Sequence, residues 1–183
     1  MQDEVIVRQC SPTLAGLKTG NLFSVDYSSE DEMREILKNL NNRLSFKGLR
    51  AVPVRYGKRK ALIYLYRPEK LRQDLMDSEA NRLLCERGYC TDCPEKCVAK
   101  LIEKVRTNSE FPHEIGLFLS YPPEDVRGFI ENKANNYKCV GTWKVYGDEE
   151  AARKTFCRYE KCTNCFYRQF CKGMSIERLT VAV

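Results

Sequence analysis

The sequence predicts an α/β or α+β fold, a single sheet of about five strands with helices packed on it, carrying two cysteine-rich metal knuckles. Three observations carry this expectation. Strand-like apolar runs alternate with stretches whose apolar residues recur every three or four positions. Glycine and proline punctuate most of the junctions. Ten cysteines are present, and eight of them fall in two tight groups, Cys85-Cys90-Cys93-Cys97 and Cys157-Cys162-Cys165-Cys171.

After a short first element, Cys10-Ser11-Pro12-Thr13 reads as the start of a brief helix, with Ser11 as cap and Pro12 at the first helical position, interrupted by Gly16 and Gly20. Asn21 to Tyr27 reads as a strand ending at Ser28-Ser29. Residues 30–46 form an amphipathic helix, because Met33, Ile36, Leu37, Leu40 and Leu44 share one face. Two apolar runs, Leu49 to Tyr56 and Ala61 to Tyr66, flank Gly57-Lys58-Arg59-Lys60, a hairpin with a basic tip. Residues 68–87 read as helical, with Gly88 where a helix end needs a left-handed residue. Pro94 opens a helix to Arg106 whose apolar stripe is Val98, Leu101, Ile102 and Val105.

Ile115 to Tyr121 is apolar almost without alternation, as expected of a central strand buried on both faces. Pro122 to Asp125 starts a helix that runs to Lys133, Lys138 to Tyr146 is a further strand, and Gly147-Asp148 turns into a helix ending near Tyr159. The second cysteine group follows directly. No Pro/Ser-rich linker interrupts residues 1–183, so a single domain is expected.

A chain of 183 residues buries a core without crosslinks. Its start, MQDEVIVRQC, has no apolar signal region, and no stretch reaches the roughly 18 apolar residues of a membrane span, so a cytoplasmic protein is expected. In that reducing setting clustered thiols bind metal or do redox chemistry rather than form disulfides. The net charge of +6 is uneven. Residues 47–72 hold nine Lys or Arg against Glu69 alone, and residues 153–178 hold seven against Glu160 and Glu177. A positive face toward an anionic partner follows as one reading, with Arg55, Lys58, Arg59 and Lys60 at its centre; solvated surface charge is the other.

The groups are spaced Cys-x4-Cys-x2-Cys-x3-Cys and Cys-x4-Cys-x2-Cys-x5-Cys. A Cys-x2-Cys turn puts two thiolates on one side of a tight loop, where one ion or cluster reaches both. In the first group, Cys93 and Cys97 stand at a helix start whose positive end favours thiolates, with Arg87, Lys96 and Lys100 nearby. Four cysteines suit structural zinc and iron–sulfur clusters, 4Fe-4S included, alike. The shared Cys-x4-Cys-x2-Cys run leans toward iron–sulfur, since plant-type ferredoxins use it.

The stretch Cys162-Thr-Asn-Cys165-Phe-Tyr-Arg-Gln-Phe-Cys171 resembles the Cys-x2-Cys-x5-Cys end of Cas4/AddB-type iron–sulfur nucleases, over some ten residues. That resemblance implies a fourth ligand from far upstream, Cys139 or Cys10, but the Glu-x-Lys element of such nucleases is missing. Other segments carry a wider likeness: Arg8 to Phe23 (RQCSPTLAGLKTGNLF), Phe111 to Leu119 (FPHEIGLFL) running on through Pro122-Pro123-Glu124-Asp125-Val126, and Trp143-Lys144-Val145-Tyr146-Gly147-Asp148. Together they resemble DUF3793, an uncharacterised family of anaerobic Gram-positive bacteria. The resemblance spans most of the chain and implies a cytosolic protein of that fold, without an activity.

Two residues outside the groups have candidate roles. Cys10, before an expected helix start and with Lys18 downstream, has the setting of a reactive thiol or of a small buried residue. His113 is the only histidine and reads as structural, with Glu114 beside it. The expectation is therefore a cytosolic metal-binding protein in redox or electron transfer, sensing or metal handling, with an unspecified redox or protein partner. Its alternatives are a nucleic-acid-binding module with structural metal sites, or a thiol enzyme using Cys10.

Overall fold

The computed structural model describes residues 2–108 and 110–182. The chain divides into two compact units, one of Met1–Glu69 with Lys161–Val183, the other of Lys70–Glu160.

The first unit begins with helix α1 (Gln2–Leu14). Pro12 lies inside its last turn rather than at a first one. The buried positions Ile6, Cys10 and Leu14 recur every four residues, so the helix packs through the cysteine that the sequence placed at a helix start. Strand β1 (Gly20–Asp26) follows, then α2 (Glu30–Leu44). Ser29 caps α2 by accepting from the Glu32 amide, while the Glu32 carboxylate accepts from the Ser28 amide at 2.7 Å, a reciprocal cap that fixes the start. A 3₁₀ turn (Ser45–Lys47) and left-handed Gly48 (φ 78°) end it.

The basic-tipped hairpin forms as expected from β2 (Arg50–Tyr56) and β3 (Lys60–Tyr66). The sheet is antiparallel in the order β1-β3-β2, with Phe23 opposite Ile63 and Val52 opposite Tyr64. Pro53 lies on the edge strand β2 beside a bulge, where a missing N–H costs least. Asn41 of α2 covers part of that strand by bonding both the amide and the carbonyl of Ala51 at 2.9 Å. On the central strand, Ala61, Ile63 and Leu65 join the core with Phe23, Met33, Leu40 and Leu44. Tyr64 and Tyr66 stack at 4.7 Å on the opposite side. Gly20 admits this arrangement, since a Cβ there would lie 2.4 Å from the Tyr64 ring.

Arg67, 2% exposed, joins the pieces of this unit. Its guanidinium donates to the carbonyls of Thr13 (2.8 Å), Leu14 (2.8 Å), Lys47 (3.0 Å) and Val181 (2.8 Å). Two of these are end-of-helix carbonyls of α1 that lack intrahelical partners. The Val181 amide returns a bond to Leu14 at 3.0 Å, tying in the segment after the short helix α9 (Ile176–Leu179). Arg43 adds an outer clamp, holding Asp3 at 2.6 Å and Glu177, whose carboxyl it helps to bring down to about 2.

The second unit is mainly helical. The expected 68–87 helix is two, α3 (Pro68–Leu75) and α4 (Ser78–Cys85), with Asp77 capping the latter. Helix α5 (Pro94–Thr107) starts at the proline, as read. Ile115 to Tyr121 is not a central strand but a buried helical turn, α6 (Ile115–Phe118), before α7 (Pro123–Glu131). Burial was inferred correctly, yet a short apolar run does not distinguish a buried strand from a buried turn. Lys138 to Tyr146 folds back on itself as a small hairpin, β4 (Cys139–Val140) with β5 (Lys144–Val145). The single sheet of five strands is thus replaced by a three-stranded and a two-stranded sheet.

Two buried acids organise this unit. Glu114 accepts from Tyr89 Oη (3.0 Å) and Lys104 Nζ (2.9 Å). Asp125 accepts from Trp143 Nε1 (2.6 Å) and from the amides of Tyr146 (2.6 Å) and Gly147 (2.7 Å), fixing the hairpin to α7. Helix α8 (Glu149–Cys171) begins here and does not stop near Tyr159; it runs on through the second cysteine group.

Replacing Arg67 with Met leaves four carbonyls without its donors and is expected to cost about 3–5 kcal/mol, with Lys recovering only part because it lacks the planar fork. Urea unfolding followed by far-UV circular dichroism measures both variants.

Candidate metal centre

The first cysteine group is a true break between helices. Gly88 takes φ +77°, and the Gly88 and Tyr89 amides close onto the carbonyls of Cys85 (2.9 Å) and Leu84 (3.1 Å), ending α4 at the first cysteine. Cys93 is the N-cap of α5 in extended conformation, followed by Pro94, and the Cys97 amide bonds the Cys93 carbonyl at 3.1 Å. The span between these ends, residues 86–93, curls so that Cys97 Sγ contacts the Cys90 carbonyl at 3.1 Å. Cys85 Sγ lies 3.6 Å from Thr91 Oγ1, which Asn81 holds at 2.7 Å. Asn81 and Thr91 are thus supports of the site that the cysteine pattern alone did not single out.

Cys97 is buried, Cys93 half-buried, Cys85 and Cys90 exposed. The Cys97 thiol is pushed up to about 11, first by burial and then by the charges of Cys90, Cys93 and Cys85. This opposes the lowering expected from the helix start, and its first cause is burial, to which the neighbouring cysteines and Asp92 add. Crowded thiolates repel one another unless a cation sits among them. The nearby bases are partly engaged: Lys100 pairs with Glu103 at 2.9 Å, and Arg87 stands 3.8 Å from Glu114. The sulfurs do not already surround one point, for Cys85 Sγ also turns to Asn81 and Cys93 Sγ to Glu95. Among the described residues no group of three or more His, Cys, Asp or Glu is arranged to hold a metal ion.

The second group is not a knuckle. Cys157, Cys162, Cys165 and Cys171 lie on the unbroken helix α8. The outer two are 14 residues apart, about 21 Å of helix at a 1.5 Å rise. One tetrahedral ion needs all four sulfurs at about 2.3 Å, so in this conformation they do not share one. Ala152 and Tyr159 mark the buried stripe; Cys162 is half-buried near its line, whereas Cys157, Cys165 and Cys171 are exposed. Burial and then Cys165 push the Cys162 thiol up to about 11. The sequence did carry a signal for the helix: no glycine or proline occurs between Gly147 and Gly173, which takes φ +90° just past the helix end.

Cys10 is fully buried in the core of the first unit, and burial pushes its thiol up to about 12 against the opposing charge of Lys18. The low-pKa setting expected at a helix start is therefore absent. Lys18 itself is buried, and desolvation brings it down to about 8. The tip residues Arg55, Lys58, Arg59 and Lys60 are exposed, with Lys60 3.8 Å from Asp26. His113 is exposed and packs edge-on against Phe129 at 5.0 Å.

Residues 6–180 match the family model described as a protein of unknown function, DUF3793. No curated protein and no solved structure matches the chain significantly.

Iodoacetamide at pH 7 is expected to label Cys157, Cys165 and Cys171 in the native protein and Cys10 only after denaturation, as read by peptide mass spectrometry. For Lys18, the unfolded chain holds the proton more tightly than the folded one, so between about pH 8 and 10.5 the unfolded state binds more protons and stability rises with pH. Below that window the full cost of the buried charge is present. Comparison with Lys18→Met isolates the effect: the stability of the wild type relative to the variant is expected to climb by up to about 1.4 kcal/mol per pH unit across the window.

Proposed function

We propose that this chain, which belongs to the DUF3793 family, is a metal-binding protein whose centre is the loop between α4 and α5, with Cys85, Cys90, Cys93 and Cys97 as ligands. The observation that supports this reading is that four cysteines fall within thirteen residues around one helix break marked by Gly88 and Pro94, where the charges of Cys90, Cys93 and Cys85 add to the burial that raises the Cys97 thiol. Donor chemistry fits either an iron–sulfur cluster or zinc, and the Cys-x4-Cys-x2-Cys spacing favours iron–sulfur. A bound cluster supplies one-electron transfer, whereas zinc supplies a structural crosslink. The chain's own contribution is to place the thiols around two helix ends and to support the Cys85 sulfur with Asn81 and Thr91. The role that follows is redox or electron transfer, sensing or metal handling in a reducing, cytoplasmic setting, consistent with ten unpaired cysteines.

A second reading rests on the exposed hairpin tip, where Arg55, Lys58, Arg59 and Lys60 stand together as phosphate contacts for nucleic acid, with the metal structural. Binding to generic DNA or RNA that weakens steeply with salt, and is lost on replacing Lys58 and Arg59 with Ser, selects it. The Cys10 enzyme reading has no comparable support, because a fully buried thiol offers a substrate no access.

Protein purified without oxygen is expected to be brown and to contain iron and acid-labile sulfide. Cys97→Ser is expected to remove the metal, while Cys157→Ser and Cys171→Ser retain it; the reverse pattern moves the centre to α8. Colourless protein with stoichiometric zinc selects the structural metal, and protein with neither metal overturns the proposal. Chelation is expected to leave most helical circular dichroism in place, because the buried cluster of the first unit contains none of the four cysteines.

A further inference from the structure

The second unit contains a preformed cavity of about 340 Å³ that neither the metal centre nor the basic hairpin uses. Its walls are mostly apolar, and aromatic rings line part of them. Trp143 is 8% exposed and its indole is pinned by the bond to Asp125. Tyr121 lies over it at 5.0 Å and is itself anchored by donating to the Thr142 carbonyl at 3.2 Å. Phe129 and His113, edge to face at 5.0 Å, line another side. These rings are held by one another and by hydrogen bonds, so a ligand meets them already ordered and loses little to reorganisation.

The polar complement is sparse and cationic. Lys144 lines the same cavity; its Nζ donates to the Ala134 carbonyl at 2.8 Å and lies 4.6 Å from the centre of the Tyr137 ring and 5.9 Å from that of Phe129, itself a lining residue. Among the described residues no carboxylate pairs with it, and an ammonium has three donors, of which the carbonyl takes one. Asp125, the acid of the lining, is buried and both its oxygens are bonded, one to the indole and one to two amides. It shapes the wall rather than serving a ligand.

We propose that this cavity binds a small aromatic carboxylate, its ring among Phe129, Tyr121 and Trp143 and its carboxylate at Lys144. A single ammonium matches a singly charged carboxylate better than a phosphate monoester, which carries close to two charges at neutral pH. The volume lies at the lower end of the range for small-molecule sites and suits a one- or two-ring compound. This inference is independent of the metal, since the cavity residues and the four cysteines are different sets.

Trp143 is the only tryptophan, so its emission reports on the cavity without a label. Phenylacetate added to the full chain is expected to change that emission saturably, and neutral phenylacetamide to bind at least five-fold more weakly. Lys144→Met is expected to reduce phenylacetate to the level of the amide, Lys144→Arg to restore most of the difference, and Phe129→Ala to weaken both compounds. Equal binding of acid and amide to the wild type, which needs no variant, overturns the proposal. Absence of any saturable response in both emission and saturation-transfer NMR overturns it as well, as does an unchanged acid preference in folded Lys144→Met.

Discussion

A cation with nowhere to go but inward organises the first unit. Arg67 has lost its water, and its charge is tolerated only because four main-chain oxygens from three separate stretches converge on it. The dependence runs both ways. Gly16 follows the end of α1 in a left-handed conformation, and the carbonyls of Thr13 and Leu14, which accept the Gly16 and Val181 amides, take further donors that the helix does not provide. The arginine at the end of the central strand supplies them, and in doing so it fixes where α1, the turn after α2 and the segment at Val181 meet. The core of Ile6, Leu14, Phe23 and Ile63 adds bulk stability, but burial of apolar area has no direction. The guanidinium fork does, and it sets the mutual placement of these segments.

Much of the architecture was legible where local signals were strong. The helix from Glu30, the hairpin around Gly57 and the start of α5 at Pro94 follow from periodicity, turn residues and a proline that helices accept only at their beginning. Reading failed where a local cue was ambiguous. Pro12 fits a first turn or a last one, and the buried spacing of Ile6, Cys10 and Leu14 decides for the last. The run from Ile115 to Tyr121 is buried as anticipated, but between two proline-bounded junctions it forms a turn of helix. Arg67 gave no sign of its role, since in the sequence it is one of nine basic residues in a charged stretch.

The two cysteine groups make the same point about chemistry. Their spacing is nearly identical, yet one folds into a loop and the other into a helix. The difference lies in the residues between the cysteines. Gly88 and Pro94 stop the helices on either side of the first group, whereas Glu, Lys, Thr, Asn, Phe, Tyr, Arg and Gln fill the second and let the helix continue. Ligand spacing states which thiols are close along the chain; backbone permission decides whether they meet.

The first unit is assembled from both ends of the chain, and Arg67 lies 114 positions from the carbonyl of Val181 that it bonds. Synthesis proceeds from the amino end, so the sheet and its buried cation are made well before the strand of backbone that completes their coordination. Residues 70–160, by contrast, are contiguous and leave the ribosome as a set. The coordination of Arg67 by Val181 therefore forms only after residues 70–160 have been made. Translation order, and not only equilibrium stability, bears on how this chain reaches its native state.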